Sequence, residues 1–166
     1  LEVGGTLSVD ENLTIGRLAN DSSLGNVVTS GDSALSLKGE GGTVTATGLT
    51  LGGASVRLES MNMDLGTAGV AALNSGTLDL VGMSLSGQSM TTAAGTTLTL
   101  GTKDTTMKNT SLIDLTGDFT ANGAVAFYDG SIIKAHTVTF NGSVTGDMGI
   151  ESGTDIYLHD VDGVLN

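Results

Sequence analysis

Apolar and polar residues alternate at period two along this chain in short runs, each ended by Gly, Asn, Asp or Ser. This is the grammar of strands and turns, because successive side chains of an extended backbone point to opposite faces. One phrase recurs as Gly5-Thr-Leu-Ser-Val with Asn12-Leu-Thr-Ile-Gly16, as Gly76-Thr-Leu-Asp-Leu with Met83-Ser-Leu-Ser-Gly87, and as Gly153-Thr-Asp-Ile-Tyr-Leu. Recurrence on a scale of about 20 residues marks a solenoid, whose units are too small to bury an apolar face alone and must stack on one another. The pattern therefore predicts an all-β parallel β-helix, a β-solenoid, occupying residues 1–166 as a single domain. Helical periodicity is nearly absent, and two stretches that break the alternation, Arg17 to Val28 and Gly66 to Asn74, read as loops.

The first apolar pair of each unit falls at Leu7/Val9, Leu35/Leu37, Val56/Leu58, Leu78/Leu80, Leu98/Leu100, Ile113/Leu115, Ile133/Ala135 and Ile156/Leu158. The step from Leu7 to Leu35 is long and the step from Leu98 to Ile113 is short for one coil. In parallel, in-register strands the residue between each apolar pair faces outward in one column. That column reads Ser8, Ser36, Arg57, Asp79, Thr99, Asp114, Lys134, Tyr157, so Arg57 stands beside Asp79 and Asp114 beside Lys134. The next outward position sets Lys38 between Asp10 and Glu59, and His136 beside His159. An antiparallel β-sandwich is the competing fold, for which Asn122-Gly123, Asp129-Gly130, Asn141-Gly142 and Asp162-Gly163 would serve as hairpin turns.

Composition narrows the function classes. The chain has 26 Gly, no Pro and no Cys, 39% hydrophobic and 14% charged residues, which suits a folded chain of tight turns with a narrow core. A net charge of -12 with only 6 scattered basic residues excludes a nucleic-acid partner, which needs clustered Lys and Arg. No apolar run approaches the roughly 18 residues that cross a bilayer as a helix, so no membrane insertion by this segment is expected. Absent Cys offers no disulfide framework. A first residue Leu1 without a signal-peptide pattern reads as a piece of a longer protein.

The phrases Gly76-Thr-Leu-Asp-Leu, Gly95-Thr-Thr-Leu-Thr-Leu and Thr137-Val-Thr-Phe-Asn-Gly resemble the passenger segments of autotransporters and filamentous-haemagglutinin-like bacterial surface proteins. The resemblance spans most of the chain and concerns structure rather than a catalytic motif. It implies a right-handed β-helix that is extracellular or on the bacterial cell surface. The partner it implies is a host or neighbouring-cell surface protein or glycan, met by loops such as Arg17 to Val28 or Gly142 to Ser152.

Candidate chemistry is sparse. Many β-helices process polysaccharides with clustered carboxylates, and Asp114 with Asp118, or Asp155 with Asp160 and Asp162, are the nearest approach. Neither group has an accompanying Arg, so solvated turn acids are the expected reading and the chain is not expected to be an enzyme. His136 and His159 would hold a metal if stacked, with Asp160 or Asp162 near. Asp160-Val-Asp-Gly163 opens like a calcium loop but lacks its closing Glu, so no cofactor is expected, with loop-bound calcium left as the open alternative without a strong motif. Five aromatics lie in the C-terminal half: Phe119 and Phe140 are expected in the core, Phe127 and Tyr128 on opposite sides, and Tyr157 outward. Tyr128 and Tyr157 are thus the candidate sugar-stacking residues, with core filling the blander account of the Phe residues. Thr-x-Thr runs at Thr43, Thr97 and Thr137 raise an ice-binding plane, against which Asp, Lys and Arg interrupt the columns. A non-catalytic adhesive or structural module follows, associating end to end because solenoid ends expose unpaired strands.

Overall fold

A computed structural model describes residues 1–102, 109–153 and 156–165, with only the backbone described at 148, 151, 152 and 157–165. The described residues hold no helix, and their strands wind as about 7 turns of roughly 21 residues. Each turn presents three faces. The first face carries Thr6–Val9, Asn26–Thr29, Gly48–Leu51, Val70–Leu73, Ser89–Thr92, Phe119–Ala121 and the opening of Val138–Ser152. The second carries Leu13–Leu18, Ala34–Gly39, Ser55–Glu59, Thr77–Val81, Thr97–Leu100, Ala124–Phe127 and the middle of Val138–Ser152. The third carries Ser22–Ser23, Thr43–Thr45, Asn62–Asp64, Ser84–Gly87, Leu112–Leu115, Ile132–Ala135 and the end of Val138–Ser152. Ile156–Leu165 then pairs along the first two faces of the last coil.

Every described strand pairing is parallel, which removes the sandwich. Asp129 and Gly130 form a corner between the second and third faces, and Asn122-Gly123 a corner between the first and second. Inward residues from all three faces meet in one core that runs from Val9 to Val144. Alternation does the sorting: Leu78 and Leu80 are fully buried, whereas Asp79 between them reaches solvent. Each buried Leu of this kind stabilises the fold by about 1.5–3 kcal/mol, and it does so only because the coils above and below cover it. At the open first coil, Leu7, Leu13 and Ile15 point inward but are only partly buried.

Corners reuse one turn. In Ala19–Ser22, Ala93–Thr96 and Tyr128–Ser131 the fourth residue's N–H and hydroxyl both donate to the first residue's carbonyl. The third residue has positive φ, as at Gly95 (80°) and Gly130 (68°), where a Cβ would be strained. Ser30–Ser33 keeps the backbone bond, but the buried Ser33 hydroxyl has no partner.

Several expectations are corrected by this register. Arg17 to Val28 is no loop: it contains the end of one strand, all of Ser22–Ser23 and most of Asn26–Thr29, and it buries Leu18, Leu24 and Val27. Gly142 to Ser152 is strand, and Gly66 to Asn74 contains the strand Val70–Leu73. Leu7 pairs with Val27 on the first face, whereas Leu35, Val56, Leu78 and Leu98 form a true ladder on the second. Leu98 is followed there by Val125; Ile113 and Ile133 belong to the third face, and Ile156 to the first. The long and short steps in the repeat are slips between faces. They arise because all three faces share the same apolar-polar-apolar pattern, which fixes inside and outside but does not label a face.

Candidate functional site

Charged side chains on the strands build the first part of the outer surface. On the second face Arg57 is the register partner of Asp79, yet its guanidinium turns along its own strand and donates two hydrogen bonds of 3.1 Å to Glu59. Lys38, the register partner of Glu59, reaches the same carboxylate at 2.5 Å. Glu59 thus receives two cations, and the hydrogen bond from Lys38 is the largest cause of its lowered pKa, partly opposed by burial and reinforced by Arg57. Asp10, expected beside Lys38, instead accepts a hydrogen bond from the Ser30 hydroxyl at 2.7 Å. One coil earlier Arg17 pairs with Glu40. On the third face Asp114 and Lys134 are register partners, with Nζ 3.8 Å from the carboxylate. All four basic side chains described are therefore held by acids, which leaves the acid excess of the chain unbalanced on its surface.

The two candidate tyrosines fall on different parts of the coil. Tyr128 is half-buried at a corner between the second and third faces, where its carbonyl accepts both bonds from Ser131. The backbone of Tyr157 pairs with Thr139 on the first face, and its side chain lies outside the described residues. No shared stacking platform is built by this register. The histidines are likewise apart in register. His136 follows Ile132–Ala135 on the third face and has Gly153 over it, whereas His159 follows Leu158, the partner of Phe140 on the first face. The slip from third to first face explains why they lined up in sequence. The side chains of His159, Asp160 and Asp162 lie outside the described residues, as does Asp155, and among the described residues no three His, Cys, Asp or Glu side chains are grouped to hold a metal.

A feature hidden from the sequence columns is an open groove of about 260 Å³ where the third face turns back towards the first. Asp64, Ser86 and Asp114 line it from successive coils, with Thr67, Gly87 and Thr116 at its rim. Asp64 accepts hydrogen bonds from the Gly66 N–H at 2.8 Å and the Ser86 hydroxyl at 3.3 Å, which orients it across the groove. Two coils separate Asp64 from Asp114, about 10 Å along the axis. The groove therefore offers carboxylate acceptors and hydroxyl donors at a repeat suited to a polyhydroxylated ligand, with no aromatic platform. Acid catalysis draws on a carboxyl in an apolar enclosure, and here both acids face solvent. The sequence signal was the third-face column Thr45, Asp64, Ser86, Asp114, Lys134, which emerges once Val44, Met63, Leu85, Ile113 and Ile133 are set as their own ladder.

No protein-family model, curated protein or solved structure matches this chain. What the structure supports is a parallel β-solenoid, and no family or homologue match supports an autotransporter or haemagglutinin-like identity.

Proposed function

We propose that this chain is a non-catalytic structural or adhesive module of a bacterial cell-surface or secreted protein, acting as a stiff spacer. The observation that carries the reading is the unbroken stack: three parallel ladders share one core, so bending the rod anywhere means separating paired coils. Among the described residues the connections between strands are short. Half-buried Leu7, Leu13 and Ile15 leave an apolar rung at the open end, which supports stacking on another copy or on a neighbouring segment of a longer chain. Single-molecule pulling on the chain held between marker domains tests the spacer role. A stepwise release of coils at forces well above those of the linkers is expected; extension at linker forces would defeat it.

Carbohydrate binding is the second reading, favoured by the Asp64–Ser86–Asp114 groove. Glycan screening with the wild type and an Asp64→Ala, Asp114→Ala pair tests it, and the expected signature is a sugar signal that the pair removes while Tyr128→Ala keeps it. Absence of any sugar signal leaves the spacer role alone.

A further inference from the structure

Four Asn-x-Ser/Thr triplets stand in the chain: Asn12-Leu-Thr14, Asn20-Asp-Ser22, Asn109-Thr-Ser111 and Asn141-Gly-Ser143. The triplet is the acceptor pattern for an N-linked sugar, and a transferase that reads it needs the amide nitrogen and the hydroxyl two residues on at the surface together. The fold separates the four. Ser22 is buried, with its hydroxyl donated to the Ala19 carbonyl at 2.9 Å. Ser111 is buried too and donates to the Leu80 carbonyl at 2.7 Å. Asn141 and Ser143 are exposed, but the Asn141 Nδ2 donates to the Asn122 Oδ1 at 2.8 Å, and the strand Val138–Ser152 is paired on both sides. Asn12-Leu-Thr14 differs in each respect. Asn12 and Thr14 are both exposed. The Asn12 Oδ1 accepts the Ala34 N–H at 3.0 Å, which fixes the amide with its oxygen towards the next coil, and among the described residues nothing takes up its Nδ2. The strand it leads into, Leu13–Leu18, pairs with Ala34–Gly39 on one side and with no described strand on the other.

We propose that Asn12 is an N-glycosylation site, the triplet that the folded chain leaves readable, and that it takes a hexose from a diphosphate-activated sugar donor. In the transfer the bond between the sugar C1 and the donor's phosphate oxygen breaks, and its electron pair leaves with the diphosphate. A bond forms from C1 to Nδ2, and one amide proton passes to a base of the transferase. The product amide keeps its carbonyl, so the hydrogen bond from the Ala34 N–H survives modification. At Asn141 the same sugar would be built where Nδ2 meets the neighbouring coil. At Asn20 and Asn109 the hydroxyl becomes readable only after local unfolding has drawn Ser22 or Ser111 out of the structure. Position gives the modification a consequence. Leu13 and Ile15 belong to the partly buried rung of the open first coil, so a sugar at Asn12 sets hydroxyls beside that rung and makes the modified chain a poorer partner for end-to-end stacking. This consequence rests on the spacer reading, whereas the acceptor itself rests on the exposed triplet.

Incubating the whole folded chain with UDP-glucose and a soluble transferase that reads Asn-x-Ser/Thr, beside four synthetic peptides that each carry one triplet, tests the site. Intact mass and peptide mapping by tandem mass spectrometry read the outcome. Dividing the occupancy of each site in the chain by that in its own peptide removes the transferase's preference for the middle residue. One hexose per chain is expected, on Asn12, with the ratios for Asn20, Asn109 and Asn141 at least roughly tenfold lower than that for Asn12. Asn12→Gln and, separately, Thr14→Val should each abolish the hexose. Thr14 is exposed, so circular dichroism and melting should show the Thr14→Val chain folded as the wild type. The readout is a mass on the single chain, so failure of the spacer reading leaves it unchanged. No hexose on Asn12 of the folded chain, a ratio at Asn141 equal to that at Asn12, or a hexose retained in Thr14→Val would each overturn the proposal.

Discussion

The N-terminal and C-terminal coils of this rod are held by different means. From the first to the third coil the core is Leu, Val and Met, and the surface carries a chain of ion pairs from Arg17–Glu40 to Lys38, Arg57 and Glu59. From the sixth coil on, the core turns aromatic: Phe119 and Phe140 lie 5.7 Å apart between ring centres, and Phe127 and Phe140 6.3 Å apart with edge-to-face tilt. Burial of a large apolar side chain contributes about 1.5–3 kcal/mol, a surface pair under about 1 kcal/mol. The difference teaches that the C-terminal coils should carry more of the local stability per residue, and that the N-terminal clasp trims the balance rather than setting it.

Phe140→Ala is the most direct way to break this contrast. Phe140 is the ring that both other rings touch, and it is fully buried, so truncation leaves a cavity that neighbouring coils cannot fill without losing register. A loss of about 3–5 kcal/mol is expected. Urea unfolding measures it, and hydrogen exchange should show protection lost first around Phe119–Ala121 and Ala124–Phe127. A loss below that of an ordinary buried Leu would mean that the aromatic cluster does not anchor the C-terminal coils.

Glycines separate close approaches from open turns at both ends of the rod, and a Cβ on Gly25 in the N-terminal coils would sit 1.8 Å from the Gly5 carbonyl oxygen. A Cβ on Gly142 would sit 2.1 Å from the carbonyl oxygen of Gly123 in the coil below, whereas one on Gly16 in the first coil would meet nothing within 4 Å. Gly142→Ala must push two coils apart and should cost about 1–3 kcal/mol, while Gly16→Ala leaves the melting temperature unchanged or raises it. Equal melting shifts in the two variants would show that the close approach of coils at Gly142 costs nothing.

Corner hydroxyls give a smaller, sign-changing test. Thr96 donates from its hydroxyl to the Ala93 carbonyl at 2.7 Å, so Thr96→Ala should cost about 1 kcal/mol. The buried Ser33 hydroxyl occupies the equivalent place in the second coil with no partner, so Ser33→Ala should be neutral or stabilising, since it removes an unsatisfied group. Chemical denaturation of the pair checks this, and destabilisation by Ser33→Ala comparable to that by Thr96→Ala would sink it.

How far these features could be read in the sequence depends on what period two encodes. Inside and outside were legible: Leu78, Leu98, Ile113, Phe119 and Phe140 are buried as their alternation requires. The ladder from Leu35 to Leu98 was legible because coil lengths there are nearly constant. Face identity was not, since Leu98 and Ile113 carry the same local pattern on different faces, and the register step from Leu85 to Ile113 is longer than that from Met63 to Leu85. For that reason period two alone does not bring Asp64, Ser86 and Asp114 into one groove, and it sets His136 beside His159. The Arg17 to Val28 segment looked irregular because two corners and a two-residue strand leave no room for alternation, although Leu24 and Val27 sit in the core.

The N-terminal clasp has the smallest expected effect and a definite pH signature. Glu59 is bound by Lys38 at 2.5 Å and by Arg57 at 3.1 Å, and these contacts hold its pKa below the ordinary value of 4.5 despite partial burial. For an acid whose pKa is lowered by folding, the unfolded chain takes up the proton first. The stabilisation is therefore fully present above the unfolded value and is lost as pH falls through the folded one. Because both cations remain about half exposed, solvent screening limits the contribution at neutral pH to about 0.2–1 kcal/mol. Glu59→Gln should lower stability by that amount at pH 7, by less at high salt, and by progressively less as pH drops below the usual carboxylate range. Urea titrations at neutral pH and at successively lower values follow the gap between variant and wild type. A gap that stays constant into strong acid would assign the effect to packing of the Glu59 side chain, and the clasp would then contribute through shape rather than charge.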